Sequence, residues 1–185
     1  MRLFVALELS DAVRAAVLNL VDRLQRARAD ARWVRPEGMH LTLKFIGEVP
    51  EEKLAPIRQA LSTVRSAKPV VMEFRRLGFF PNERRPRVLW VGIEASENLV
   101  EVAAQMEAAL EPLGIARENR PFVPHLTLGR FKSSQRLEQL QKEIAALPST
   151  EFGRVEAGEF FLFQSKLSPK GAEYTKLERF DFVRS

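Results

Sequence analysis

The chain is written twice. His40-Leu41-Thr42-Leu43 is matched by His125-Leu126-Thr127-Leu128, and these are the two histidines of the 185-residue sequence. With 23 leucines and 5 threonines in the chain, a given His is followed by Leu-Thr-Leu roughly once in two thousand tries by composition alone. The surrounding sequence repeats as well. Leu3–Ser10 and Leu89–Ser96 are apolar, strand-like runs, each ending in Ser before an acidic residue, which is a helix-start signal. Helical stripes follow, Val13, Val17, Leu20 and Leu24 in the first copy and Leu99, Ala103, Met106 and Leu110 in the second. Arg-Pro-x-x-x-His then precedes each tetrapeptide, from Arg35 and from Arg120.

A second helical stripe follows each tetrapeptide: Leu54, Ile57, Leu61 and Val64, then Leu137, Leu140, Ile144 and Leu147. Aromatic-rich strand sequence closes each half, Val70–Phe80 in the first, Phe152–Phe163 and Tyr174–Val183 in the second. Two units at one period are not a solenoid, which needs at least three. The pattern predicts an α+β fold: a bilobal internal duplication in which two mostly antiparallel sheets with flanking helices are related by a pseudo-two-fold axis around a central cleft. Residues 1–185 form one bilobal domain, with repeat halves at about 1–83 and 84–185. The polar stretch Pro81–Arg87 is the expected join.

Composition narrows the function. There is no cysteine, so disulfides and thiolate metal sites are excluded, and a reducing, cytoplasmic setting is expected. No apolar run approaches the ~20 residues of a membrane span, and no obligate protein partner is indicated. A net charge of +5 favours a polyanionic partner such as RNA, with an ordinary basic surface as the plain alternative.

Strand alternation gives the tetrapeptide its meaning. His40 and Thr42 share one face and Leu41 and Leu43 the other, so the leucines are buried while His and Thr face a cleft. Two such strands around a pseudo-two-fold gather two imidazoles and two hydroxyls about one point, and one His–Thr step spans ~7 Å. Histidine is the side chain suited to proton transfer near neutral pH. A zinc site competes as an explanation, but it wants three or four ligands; Glu37 and Glu48 near the first motif have no counterparts near the second. A Ser–His–Asp triad would leave one histidine unexplained.

These residues resemble the signature of the two-histidine (2H) phosphoesterase superfamily, whose members carry two His-x-Thr/Ser-x motifs. The chain is most similar to the LigT-like RNA 2′,3′-cyclic phosphodiesterases, also called 2′-5′ RNA ligases. The likeness spans nearly the whole sequence: Arg2–Ala6, Arg32-Trp33-Val34, His40–Gly47, Pro124–Arg130, Ser165-Lys166-Leu167 and Gly171–Tyr174. The resemblance implies metal-independent hydrolysis of RNA 2′,3′-cyclic phosphate ends to a 2′-phosphate, without cofactor, and reversible 2′-5′ joining. It implies His40 as proton donor and His125 as proton acceptor, with Thr42 and Thr127 beside them.

Further residues are candidates for substrate contact. Arg130 binds phosphate if a bulge at Gly129 turns it from the face of Leu128. Trp33 and Phe45 flank the first motif and stack on a nucleobase, or pack in the core. Arg84, Arg85 and Arg87 contact RNA backbone, or form a solvated loop. Small cyclic nucleotides and 2′-5′ oligonucleotides are alternative substrates, and a non-catalytic RNA-binding module is the alternative from another class.

Overall fold

A computed structural model describes residues 1–183. The strands are β1 (Arg2–Glu8), β2 (Ala31–Trp33), β3 (His40–Glu48), β4 (Val70–Phe80), β5 (Val88–Ala95), β6 (His125–Phe131), β7 (Glu151–Ala157), β8 (Glu159–Ser168) and β9 (Gly171–Asp181). The helices are α1 (Asp11–Gln25), α2 (Leu54–Leu61), α3 (Asn98–Leu110) and α4 (Leu137–Ala145). A four-stranded sheet runs β3-β1-β8-β9 and a five-stranded sheet β2-β6-β5-β4-β7. Every registered strand pair is antiparallel. Among the described residues no helix is long and apolar enough to cross a membrane.

The two sheets follow one plan. In each, the histidine strand lies beside the first strand of a repeat, β3-β1 in one and β6-β5 in the other. The next strand in each comes from the other half: β8, late in the chain, adjoins β1 in the His40 sheet, while β4, from the first half, adjoins β5 in the His125 sheet. The helices cross in the same way. The helix after β1, α1, packs on β7 of the five-stranded sheet, and α3, after β5, packs on β3 of the other. The sheets therefore do not coincide with residues 1–83 and 84–185. Pro81–Arg87, the expected join, is instead the hairpin loop between β4 and β5 within one sheet.

The expected stripes are largely those buried. Val13, Val17, Leu20 and Leu24 face the core from α1, joined by Val21. In α3 the buried residue between Leu99 and Met106 is Val102, not Ala103, because the stripe steps by three and then four. Ser10 caps α1 through the backbone N–H of Val13, whereas the Ser96 hydroxyl accepts from Val71 N–H at 2.9 Å and so ties β4 to the start of α3. The run Phe152–Phe163 divides at Gly158, where the chain leaves the five-stranded sheet as β7 and enters the four-stranded sheet as β8.

One contiguous core joins both sheets. On β1, Leu3, Val5 and Leu7 point into it, while Phe4 and Ala6 point to the opposite face with Phe161 and Phe163. Lys44 is 5% exposed. It donates to both Glu107 carboxylate oxygens at 3.0 and 2.9 Å and to the Ala116 carbonyl at 2.6 Å. It thereby fastens β3 to α3 and to the segment leading toward β6. Removing one partner of a buried pair leaves an uncompensated charge, costing about 3–5 kcal/mol. Urea denaturation should show that loss for Glu107→Ala and a clearly smaller one for Lys44→Met; equal losses would mean that the charge pairing is not what the contact supplies.

Candidate active site

A cleft of about 1590 Å³ lies between the sheets, and both tetrapeptides line it. The alternation is as expected: Leu41, Leu43, Leu126 and Leu128 are buried in the core, whereas His40, Thr42, His125 and Thr127 line the opening. In β1–β3 the register sets Ala6 opposite Thr42 and Glu8 opposite His40. In β5–β6 it sets Trp90 opposite Thr127 and Gly92 opposite His125.

Both histidine strands carry a bulge at the final leucine of the motif. On β3 the register passes from Thr42 to Lys44 against consecutive residues of β1, and on β6 from Thr127 to Gly129 against consecutive residues of β5. Leu43 and Leu128 are the extra residues, and side-chain parity inverts beyond them. That brings Arg130 into the cleft lining. Gly129 has a separate role: a Cβ there would stand 3.1 Å from the Trp33 ring. Trp33 is half-buried, packs on the main core and also lines the cleft.

Phe45 occupies the place on β3 that Arg130 holds on β6, five residues beyond the histidine. It does not line the cleft; it is 51% exposed, with the Arg2 guanidinium 5.2 Å from its ring centroid. Neither core packing nor a place in the cleft describes it. The basic trio also divides. Arg87 lines the cleft; Arg84 and Arg85 lie outside it, their backbone N–H groups donating to the Asn82 side chain at 3.0 Å each.

The two imidazoles have different surroundings. His40 lies near-parallel to Phe4 and Phe163, with ring centroids 4.8 and 5.4 Å away, and edge-on to Tyr174 at 5.4 Å. Burial, assisted by the positive charge of Arg14 and opposed by Glu8, lowers its pKa from 6.5 to about 4. His40 is therefore neutral in the free protein at pH 7. His125 meets Phe80 edge-on at 5.1 Å, and its Nδ1 lies 2.8 Å from the Val123 carbonyl oxygen. A carbonyl only accepts, so Nδ1 carries a proton and Nε2 is the nitrogen left for exchange.

Cations dominate the cleft: Arg32, Arg35, Arg87, Arg120, Arg130 and Lys170 line it against Glu37 and Glu118. Arg35 is held by the β8–β9 turn, donating to the Ala172 carbonyl at 3.3 Å. Its guanidinium occupies the space that a Cβ at Gly171 would need. Phe4, Phe163, Tyr174 and Phe80 are the main site residues that sequence reasoning missed, for nothing in a single strand says which aromatic will meet which ring. Arg35 and Arg120 were marked by the repeated Arg-Pro-x-x-x-His. Among the described residues, no group of three or more His, Cys, Asp or Glu side chains is placed to hold a metal ion.

The chain has counterparts among known proteins. The model of the LigT like Phosphoesterase family matches the chain twice, over residues 7–90 and 91–174. A protein of Methanothermobacter thermautotrophicus named RNA 2′,3′-cyclic phosphodiesterase is 36% identical over 97% of each chain. Among solved structures, TT0787 of Thermus thermophilus superposes with a TM-score of 0.79 at 35% identity, covering 98% of each chain. LigT of E. coli complexed with 3′-AMP superposes with a TM-score of 0.75 at 26% identity, covering 99% of this chain and 98% of that one. A duplicated strand signature, a cleft lined by both copies and matches across both halves together place this chain in the LigT-like phosphoesterase family.

Proposed function

We propose that the protein hydrolyses RNA 2′,3′-cyclic phosphate ends to 2′-phosphates, using His40 and His125 as an acid–base pair without a metal ion. The observation that carries this reading is the convergence of both His-Leu-Thr-Leu strands on one cation-rich cleft. The name of the Methanothermobacter relative and the 3′-AMP bound by LigT support the substrate class. A chain without cysteine suits a reducing compartment, and the cytoplasm is where we place the activity.

The chemistry follows from the groups present. His125 Nε2 takes a proton from water as the oxygen attacks phosphorus; the P–O3′ bond breaks, and His40 gives a proton to the departing O3′. The Thr42 and Thr127 hydroxyls donate to the non-bridging oxygens, where charge grows in the transition state. The free protein holds His40 neutral, so the proton it donates must arrive with the substrate. A phosphate anion seated beside the imidazole favours the imidazolium and supplies the driving force. Solvent exchange then resets both rings. If a 5′-hydroxyl of a second RNA replaces water, the same steps leave a 2′-5′ linkage.

The direct test is incubation with an oligonucleotide ending in a 2′,3′-cyclic phosphate, with chelator present, followed by product identification. A 2′-phosphate is expected. A 3′-phosphate would reverse the leaving oxygen, and activity lost to chelator would point to a metal. His40→Ala and His125→Ala should each lower kcat by about 10²–10⁴-fold while RNA affinity is largely retained; a binding module would have no turnover to lose.

His40 also has a pH signature. Its folded-state value lies below the unfolded 6.5, so the unfolded chain binds the extra proton. The stability it contributes is complete above pH 6.5 and is lost as pH falls toward about 4, a change on the order of 3 kcal/mol for such a shift. Denaturation measured across that window should show a flatter acid limb for His40→Gln. In the NMR titration of the wild type, addition of a nucleoside 2′-phosphate should move the His40 midpoint upward; a midpoint that stays put would remove His40 from the donor role.

A further inference from the structure

We infer that Arg32 and Arg87, flanking Arg130 on the wall of the cleft, form a second phosphate subsite that grips the phosphate on the 5′ side of the terminal nucleotide. The inference rests on the phosphodiesterase reading above and says which form of that substrate the cleft is built for.

The placement comes from strand register. Arg32 on β2 is directly opposite Arg130 on β6, and Arg130 in turn faces Val88 on β5. Arg87 adjoins Val88, and its carbonyl accepts from Phe131 N–H at 2.9 Å. Arg32 and Arg130 thus stand on adjoining strands with Arg87 just before the third, all exposed and all lining the cleft. Like charges directly opposite each other on paired strands are unfavourable. Several other arginines on these sheets have a carboxylate beside them: Arg154 has Glu156 at 3.0 Å, and Arg179 has Glu159 at 3.2 Å. Arg75 lies 3.0 Å from Glu73 and also pairs with Glu94. Among the described residues, Arg32, Arg87 and Arg130 have no such partner. An unbalanced row of guanidinium groups on a cleft wall is what an anionic ligand compensates, and arginine forks suit phosphate.

The row is also in the right place. Arg130 lies three residues beyond Thr127 along β6, ~10 Å of strand at most, so the wall continues directly from the reacting phosphate to the arginines. The duplication does not supply a mirror image. β2 is the additional strand of the five-stranded sheet, and at the position equivalent to Arg130 the other sheet has Phe45, covered by Arg2. The arginine row therefore directs the RNA strand along the His125 sheet.

Three substrates separate the sources of that phosphate: a nucleoside 2′,3′-cyclic phosphate with a free 5′-hydroxyl, the same compound with a 5′-phosphate, and a tetranucleotide ending in the cyclic phosphate. For the wild type, kcat/KM should rise about tenfold or more when the second phosphate is present, the scale of a charge-assisted contact. Arg32→Gln/Arg87→Gln should bring that ratio close to one, whereas Arg84→Gln/Arg85→Gln, which removes equal charge outside the cleft, should preserve it. A gain confined to the tetranucleotide and lost in the Arg32/Arg87 variant still supports the subsite, with a diester as its ligand. No gain with either phosphate, or a gain that survives the double substitution, overturns it.

Binding provides the readout independent of turnover. Anisotropy titrations with a tetranucleotide 2′-phosphate should give a log–log salt slope shallower by about 0.7 for each contact removed by Arg32→Gln/Arg87→Gln; an unchanged slope and affinity refute the subsite. Absence of hydrolysis on all three substrates with this slope change intact would instead sink the catalytic reading alone. Thermal unfolding of each variant confirms that the fold is retained.

Discussion

Burial of four leucines governs what this molecule can do. Leu41, Leu43, Leu126 and Leu128 are sequestered in the core, each contributing about 1.5–3 kcal/mol by leaving water. Because side chains alternate along a strand, that burial also turns His40, Thr42, His125 and Thr127 outward. A slip of one residue in either register would expose the leucines and bury the histidines. The cost of such a slip, several kcal/mol per strand, is comparable to a domain's whole stability. The face the imidazoles take is thus enforced by apolar packing, and their own contacts orient the rings.

Exchange of β4 and β8 adds the second constraint. Each sheet takes two strands from the other half of the chain, and α1 and α3 are exchanged in the same sense. Neither wall of the cleft therefore folds from one repeat alone. The fraction of surface buried rises with size, and the exchange gives both copies one shared core. It also leaves the two sheets covalently continuous at Gly158, where β7 of one sheet gives way to β8 of the other.

The sequence announced local features and withheld those created by pairing. Periodicity exposed the α1 stripe and the His-Thr face because each is set by residues a few positions apart. Which sheet a strand joins is a long-range choice, so β4 and β8 could not be assigned from the repeat, and Pro81–Arg87, between the two copies of the repeat, proves to be a hairpin loop within one sheet. The same holds for bulges. A bulge at Gly129 was entertained for one copy alone, yet both copies have one, at Leu43 and Leu128, since a bulge is a relation between two strands. Phe45 shows the limit from the other side: its face follows from the bulge, but its exposure depends on what else reaches that part of the sheet, which is Arg2.

Acid–base catalysis needs two groups that differ, whereas duplication delivers two that match. The difference arises in residues outside the tetrapeptides. Opposite His40 the register places Glu8, which pairs with Lys176 at 2.6 Å; opposite His125 it places Gly92. Phe4, Phe163 and Tyr174 enclose His40 and strip it of water, while His125 is oriented by the Val123 carbonyl. The β5–β6 pairing is displaced by two residues from the β1–β3 pairing when the repeats are aligned. A displacement of two preserves which face each side chain takes but changes its neighbours. Register shift is therefore a route by which a symmetric scaffold acquires an asymmetric site: the histidines stay in the cleft, and the ring each one meets, and hence the proton each one holds, is free to diverge.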